Sequence, residues 1–267
     1  MPINTPGRFR WGLTGLAVGL IMIVLAACQT VPISGRSQLL LVSEADEVQL
    51  GVQSYQEILR QSKVSTDQKV LKMVRRVGMR IATATGRTDL KWEFTVIKDD
   101  QVNAFALPGG KVAVYTGLLP VTRDETGLAV VLGHEVAHAV ARHGAERLTQ
   151  ELVVKTGLEA TKLALSNRDP DTVKTVSALL GAGATYGLIL PWSRAQESEA
   201  DRLGLVYMAK AGYNPRAARD LWTRMAGVSK GQGRPSEFLS THPSEATRIR
   251  QITEWLPEAL QYYKPRR

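Results

Sequence analysis

The sequence predicts an α+β fold that is mostly helical and carries one small β-sheet. A segment with strand character and a hairpin pattern both fall between residues 92 and 115. After residue 120, apolar residues recur at helical spacing almost to the end of the chain. Strands followed by a run of helices, without regular alternation, are typical of α+β domains rather than of doubly wound sheets.

The first residues of the chain resemble a bacterial lipoprotein signal peptide. Two arginines precede the apolar stretch Trp11–Ala27, which ends in Leu-Ala-Ala before Cys28. A basic start, an apolar centre and small residues before a cleavage site are typical of secretory signals. We therefore expect residues 1–27 to be removed and Cys28 to be acylated, which predicts a periplasmic, lipid-anchored protein. Gln29 favours sorting to the outer membrane. The alternative is an uncleaved transmembrane anchor, for which the apolar stretch is short.

Composition limits the remaining possibilities. Residues 28–42 are expected to form a tether, and residues 43–267 a single domain large enough to bury a core. Cys28 is the only cysteine of the sequence, which excludes a disulfide within it and a metal site made of several thiolates. The formal net charge is +9, but the basic residues are scattered rather than interleaved with aromatic ones. This distribution does not support nucleic-acid binding.

Two helices are predicted before the sheet. Ser43 caps an acidic first turn and begins a helix that runs to about residue 61. A second helix is predicted over 67–84. Residues 92–97 are rich in β-formers and predict a strand. Asn103–Leu107 and Lys111–Tyr115 flank Pro-Gly-Gly, which predicts a hairpin. Later helices are predicted over 124–148, 151–166, 170–187, 194–211, 215–227 and 244–255.

The strongest chemical signal is the pattern His-Glu-x-x-His at residues 134–138, inside an apolar helix. Residues four apart share one face of a helix, so His134 and His138 point at the same spot. Zinc accepts histidine nitrogens at about 2.0–2.1 Å, and Glu135 is placed to take a proton from a zinc-activated water. The pattern therefore predicts a metallopeptidase with one Zn²⁺ per chain. The alternative, two polar residues on a helix surface, is disfavoured by the apolar surroundings.

The third zinc ligand is predicted to come from a later helix. His143 falls about 140° from His138 around a continuous helix, so we interpret it as a structural or surface histidine. Glu197 and Asp201 lie four apart and share a face. We predict Glu197 as the third ligand, and Asp201 as the acceptor for the free N–H of a zinc-bound histidine. Glu199 points away from Glu197, by about 200°.

Other residues are candidates for substrate handling. Asn103, Ala104 and Phe105 begin a strand beside the hairpin turn, and its open edge is predicted to bind an extended substrate. His242 has two competing roles, either stabilising the oxyanion or occupying the fourth position of zinc in a resting enzyme. A histidine that only caps the next helix is the alternative. The apolar, glycine-rich residues 179–190 are either a mobile lid or a packed core helix.

Together these motifs resemble the family-48 zinc metallopeptidases, which include HtpX-like membrane proteases and type I CAAX prenyl proteases. The resemblance covers about residues 36–256 and implies a zincin-type fold. It also implies that Glu197 is the third zinc ligand and that Asp201 supports the site. In its order of segments the chain is most similar to periplasmic lipoprotein members that act in outer-membrane protein quality control. The C-terminal helical repeats of larger relatives are not expected in this sequence. The motifs that carry it lie at 103–110, 134–138, 142–143, 193–201 and 240–249.

The sequence thus predicts a zinc endopeptidase of the bacterial cell envelope that hydrolyses misfolded or misassembled outer-membrane proteins. The expected partners are those substrates, the membrane through the lipid on Cys28, and the outer-membrane assembly machinery. The alternative is a chaperone or assembly factor for outer-membrane components, in which zinc is structural or regulatory. A role as a zinc-storage protein is disfavoured, because storage would give Glu135 no chemical role.

Overall fold

In the computed structural model, two small sheets and a set of helices enclose one long apolar helix. The structure describes residues 27–184, 190–231, 237–242 and 247–265, so the predicted signal peptide lies almost entirely outside the described residues. The strands are β1 (Cys28–Thr30), β2 (Ser37–Leu39), β3 (Glu93–Ile97), β4 (Ala104–Leu107) and β5 (Lys111–Tyr115). The helices are α1 (Glu44–Gln61), α2 (Gln68–Thr85), α3 (Leu119–Thr122), α4 (Glu125–Ala141), α5 (His143–Ala164), α6 (Pro170–Ala184), α7 (Leu190–Lys210), α8 (Ala217–Gly231), α9 (Glu237–Thr241) and α10 (Arg248–Tyr262).

The larger sheet has the strand order β3-β5-β4 and leaves β4 at an edge. β3 runs parallel to β5, whereas β4 and β5 form the antiparallel hairpin that the sequence predicts. The turn between them contains Gly109 and Gly110, both with φ near +80°. Glycine adopts this region without steric cost, which is why a tight hairpin forms here. Because β4 has a neighbour on one side only, half of its backbone groups face away from the sheet.

Helix α4 is the centre of the core and crosses α7 at two glycines. Nearly every side chain of α4 from Gly127 to Ala137 is buried. A Cβ atom on Gly133 would lie 2.8 Å from the carbonyl oxygen of Gly204, and one on Gly204 would lie 2.8 Å from the carbonyl carbon of Gly133. Real Cβ atoms do not approach backbone so closely, so the two helices touch only because both residues are glycines. His134 follows Gly133 directly and is thereby held against α7.

Helix α4 ends earlier than predicted. The periodicity predicted one helix over 124–148, but Arg142 has φ 58° and ψ 36°, which is left-handed, and α5 begins at His143. The buried guanidinium of Arg142 donates through Nε to Glu47 at 2.6 Å and through Nη1 to Gln29 at 2.9 Å. These partners lie about a hundred residues away, so local periodicity carries no sign of the break.

The segment predicted as a tether contacts the body of the protein. β1 and β2 pair in antiparallel fashion, and we name residues 28–39 the amino-terminal hairpin. Gln38 donates to the carbonyl of Ala141, at the end of α4, at 2.9 Å. Arg36, in the turn of this hairpin, forms ion pairs with Glu146 on α5 and Glu199 on α7. The amino-terminal hairpin therefore packs against the helices that surround the core.

The last helix also differs from its predicted bounds, and the two alternatives for residues 179–190 stay open. Helix α10 continues to Tyr262 with Pro257 inside it, whereas the predicted helix covered 244–255. In α6, Leu179 and Leu180 are exposed, and residues 185–189 lie outside the described part of the chain, so neither a lid nor a core helix follows for 179–190.

Among the residues that the structure describes, no helix has the length and apolarity needed to cross a membrane.

The crossing of α4 and α7 yields a stability test. We expect Gly204→Ala to lower the free energy of unfolding by about 1–3 kcal/mol, because the added methyl group forces the two backbones apart. The matched control is Gly157→Ala on the exposed face of α5, where a new Cβ has nothing within 4 Å. That control is expected to stabilise the protein by about 0.5–1 kcal/mol through helix propensity. Urea titrations followed by circular dichroism measure both, and equal effects would contradict a tight crossing.

Candidate metal centre

Four donor atoms from three helical segments converge at one point. His134 and His138 from α4, Glu197 from α7 and His242 after α9 offer ligand atoms that lie within 4.8 Å of one another. His134 Nε2 lies 3.0 Å from His138 Nε2 and 3.2 Å from Glu197 Oε2, and His138 Nε2 lies 3.4 Å from Glu197 Oε1. Donors at about 2.0–2.1 Å from a tetrahedral zinc ion lie roughly 3.3–3.4 Å apart. The spacing of the donors therefore fits Zn²⁺.

The charges around the donors also favour a cation. Burial lowers the pKa of His134, but hydrogen bonds to Asp201 and Glu197 outweigh it and raise that pKa to about 10. Burial lowers the pKa of His138 well below its usual value, which keeps this imidazole neutral. Burial opposes ionisation of Glu197, yet His138, His134 and His242 hold its pKa far below the usual range. Two buried carboxylates, those of Glu197 and Asp201, thus surround the imidazoles with negative charge that a divalent ion neutralises.

The ring of His134 is fixed by an acid and an arginine behind it. His134 Nδ1 donates to Asp201 Oδ1 at 2.9 Å, which leaves Nε2 free to bind a metal. Asp201 Oδ2 accepts from Nε of Arg248 at 2.5 Å, and Nη2 of Arg248 donates to Glu197 at 3.2 Å. The guanidinium lies over the ring of Trp222, 3.8 Å from its centroid. Sequence reasoning included Arg248 in the motif at 240–249 but gave it no role in the site, because its spacing alone does not distinguish it from a solvated arginine in the first turn of a helix.

His143 does not lie where the sequence interpretation placed it. It is buried, and its Nδ1 lies 2.9 Å from Nδ1 of the predicted ligand His138. Its Nε2 lies 2.9 Å from Glu199 Oε2. The angle of 140° assumed a continuous helix, whereas the left-handed Arg142 turns the chain and brings His143 back toward His138. Glu199 points away from Glu197, as the helical angle predicts, and its carboxylate therefore reaches His143.

Glu135 is buried beside the donors with one oxygen unpaired. Among the described residues, its Oε1 has no hydrogen-bond partner, and it lies 3.5 Å from His242 Nε2. Burial raises the pKa of Glu135, against the influence of His242 and His134. A carboxylate with a raised pKa and a free oxygen at the metal position is suited to accept a proton from water. This is the geometry that a general base requires.

A cleft of about 190 Å³ opens above the donors. Phe105, Ala106 and Leu107 of β4 line one side, and Gly144 and other residues of α5 and α7 line the other. Of the three predicted substrate-binding residues, only Phe105 lines the cleft. Asn103 and Ala104 are buried, and Asn103 Oδ1 accepts from the N–H of Ala104 at 2.9 Å. Any role for these two residues is therefore through the backbone.

His242 lies at the fourth corner of the donor group. Its Nδ1 is 3.2 Å from His134 Nε2 and 3.2 Å from both oxygens of Glu197. These distances match those among the other three donors. Its ring stacks on Phe238, with centroids 4.5 Å apart. This position favours the role in which His242 is the fourth tetrahedral ligand of zinc in a resting enzyme. A histidine that stabilises the oxyanion would lie nearer the substrate.

The profile of peptidase family M48 matches residues 68–256, which include all four donors and Glu135. The chain belongs to peptidase family M48. This finding confirms the predicted family, the α+β fold and the use of zinc. The protein is a zinc metalloendopeptidase.

Named relatives agree with this family. The chain is 40% identical over 257 residues to mitochondrial metalloendopeptidase OMA1 of Schizosaccharomyces pombe, covering 94% of this chain and 73% of that protein. It is 30% identical over 261 residues to the human mitochondrial metalloendopeptidase OMA1, covering 93% and 50%. It is 25% identical over 243 residues to the β-barrel assembly-enhancing protease of Escherichia coli, covering 89% and 49%. The chain thus spans about half the length of the latter two proteins.

The predicted location is wrong. We expected a periplasmic protein anchored to the outer membrane through a lipid on Cys28, whereas relatives from fungi, a plant and animals are named as mitochondrial. An apolar segment after basic residues is shared by secretory signals, membrane anchors and other targeting segments. The local pattern therefore does not determine the compartment. In the structure Cys28 is exposed at the start of β1.

The position of His242 generates a test of its role. If it blocks the cleft in the resting enzyme, His242→Ala should raise the initial cleavage rate, by roughly tenfold if the open state holds about a tenth of the molecules. Rates are compared at equal zinc content, using an unfolded casein-type substrate. A fall in rate would instead favour the oxyanion role, and an unchanged rate would contradict both roles.

Proposed function

We propose that the enzyme cleaves extended segments of misfolded or misassembled membrane proteins, which bind along the free edge of β4. The observation that carries this proposal is the position of that edge beside Glu135 and the donors. The N–H of Tyr115 donates to the carbonyl of Asn103 at 3.0 Å, which marks a hydrogen-bonded pair. The antiparallel alternation then directs the backbone groups of Ala104 and Ala106 away from β5. Ala106 accordingly has a backbone hydrogen bond to Glu135.

An extended substrate at this edge passes directly over the catalytic group. Ala104 is fully buried and the N–H of Ala106 already bonds Glu135, so the added strand pairs by donating an N–H to the carbonyl of Ala106, which sets the register of the scissile bond. His134, His138 and Glu197 would hold Zn²⁺, which when bound would supply Lewis-acid polarisation of water and of the scissile carbonyl. Glu135 accepts the proton through its unpaired oxygen and delivers it to the leaving amine.

The same geometry supports this class of substrate. Only a chain whose backbone groups are unpaired can add a strand to β4, so folded proteins are excluded and unfolded segments are accepted. Binding through the main chain sets few demands on side chains, which suits an enzyme that removes many different damaged proteins. The name of the Escherichia coli relative, a β-barrel assembly-enhancing protease, supports membrane proteins as the substrates.

The second candidate function is assistance to membrane-protein assembly without cleavage. The name of the same relative favours this function, because a protein that enhances assembly need not act through hydrolysis alone. In that case the edge of β4 binds a membrane protein whose folding is incomplete, and zinc serves mainly to hold α4 against α7.

Glu135→Gln separates the two functions. The variant should lose about 10²–10⁴-fold in cleavage rate, because the amide cannot accept the proton, while zinc content and the unfolding transition stay unchanged. The matched control is Glu254→Gln on α10, which changes only an exposed ion pair with Arg250. Casein-type cleavage and metal analysis measure both variants. Full cleavage activity of Glu135→Gln would contradict the mechanism. If Glu135→Gln restores the phenotype of cells that lack the wild-type protein, the assembly function is favoured.

Binding along β4 is tested from the substrate side. A cleaved peptide is resynthesised with a single N-methyl group at each position in turn. Since only alternate N–H groups of an added strand face β4, we expect kcat/KM to fall at every second position near the scissile bond. Each lost backbone hydrogen bond should cost about 1 kcal/mol, or roughly fivefold. A uniform loss, or none, would contradict binding as a strand.

A further inference from the structure

The zinc ligand His138 is the start of a chain of hydrogen bonds that leads out of the site. If Nε2 of His138 binds the metal, its proton must be on Nδ1, which then donates to Nδ1 of His143 at 2.9 Å. Nε2 of His143 consequently carries a proton and donates to Glu199 Oε2 at 2.9 Å. The metal at one end and the carboxylate at the other thus determine both tautomers.

Glu199 is held by the turn of the amino-terminal hairpin. Ser34 Oγ donates to Glu199 Oε1, and Arg36 donates to Oε2 through Nε at 3.0 Å and Nη2 at 2.8 Å. The same guanidinium donates to both oxygens of Glu146, at 2.6 and 2.8 Å. Arg36 therefore ties the acid behind His143 to helix α5.

The arrangement behind His138 has the same parts as the one behind His134. There, Asp201 receives the Nδ1 proton of the ligand and is itself held by Arg248. Behind His138, the acid is Glu199 and the arginine is Arg36, with one imidazole inserted. A charged acid that accepts the outer N–H of a zinc-bound histidine raises its basicity and fixes its ring.

We propose that the amino-terminal hairpin is part of the metal centre, and that His143, Glu199 and Arg36 are positioning residues for the zinc ligand His138. Residues 28–39 lie outside the segment that matches the family profile, residues 68–256. One of the two arginines that support the metal site is thus supplied by a part of the chain that contains no zinc ligand.

The proposal is tested in the full chain with Arg36→Gln, Glu199→Gln and His143→Ala. Zinc affinity is measured by competition with a chromogenic chelator, and the ligand geometry by the visible absorption spectrum after Co²⁺ substitution. Each variant should bind zinc about 10–100-fold more weakly, with altered cobalt bands, as should Asp201→Asn, which removes the corresponding acid behind His134. These readouts need no cleavage, so failure of the proposed peptidase function would not imitate them.

Three comparisons separate positioning from general stability. Arg202→Gln on α7 removes a similar two-point ion pair, with Glu258, and should leave zinc affinity and cobalt bands unchanged. His143→Asn should recover part of the affinity that His143→Ala loses, because its amide oxygen can accept from His138. Adding Glu199→Gln to His143→Ala should cause no further loss, since Glu199 acts through His143.

The proposal is overturned if Arg36→Gln and Glu199→Gln match Arg202→Gln in zinc affinity and in the cobalt spectrum, whatever their effect on unfolding. Should Glu199→Gln fail to fold, Ser34→Ala removes a single donor to the same carboxylate and should give a smaller loss of affinity in the same direction. Unchanged affinity in Ser34→Ala and Arg36→Gln together would equally refute the role of the hairpin.

Discussion

The contact between α4 and α7 at Gly133 and Gly204 is the constraint on which the site depends. Two helices whose backbones touch leave no room for independent movement, so the residues next to the contact keep a fixed separation. His134 follows one glycine, and Asp201 lies nearly one turn before the other. The bond between them, 2.9 Å long, is therefore a consequence of backbone packing rather than of side-chain flexibility. Glu197 lies one turn earlier on α7 and reaches the metal position for the same reason.

Negative charge is buried at this contact, and the fold compensates for it from both ends of the chain. Arg248, at the start of α10, neutralises Asp201 and Glu197. Arg36, in the amino-terminal hairpin, neutralises Glu199 and Glu146. A buried carboxylate without such a partner would bind a proton and cease to orient its histidine. The two arginines thus place positive charge beside the buried acids that surround the site for a divalent cation.

Local sequence rules predicted those parts of the site whose geometry is contained in one helix. The pair His134 and His138 follows from helical periodicity alone, and the β4–β5 hairpin follows from Pro-Gly-Gly between two apolar runs. The same rules failed at His143, because the left-handed Arg142 is stabilised by Glu47 and Gln29, far away in sequence. Arg248 and Arg36 were given no role in the site for a related reason, since their partners are known only after the chain has folded. The compartment was misjudged because an apolar leader has the same composition in several targeting pathways.

The distance in sequence between Arg36 and its acids has a consequence for biosynthesis. Arg36 leaves the ribosome early, but Glu199 follows 163 residues later, and His242 lies 108 residues after His134. Contacts of such long range close only once most of the polypeptide has emerged, and they form late in folding. A nascent protein therefore cannot complete the donor group, or the support that the amino-terminal hairpin gives it, before helix α7 has been synthesised.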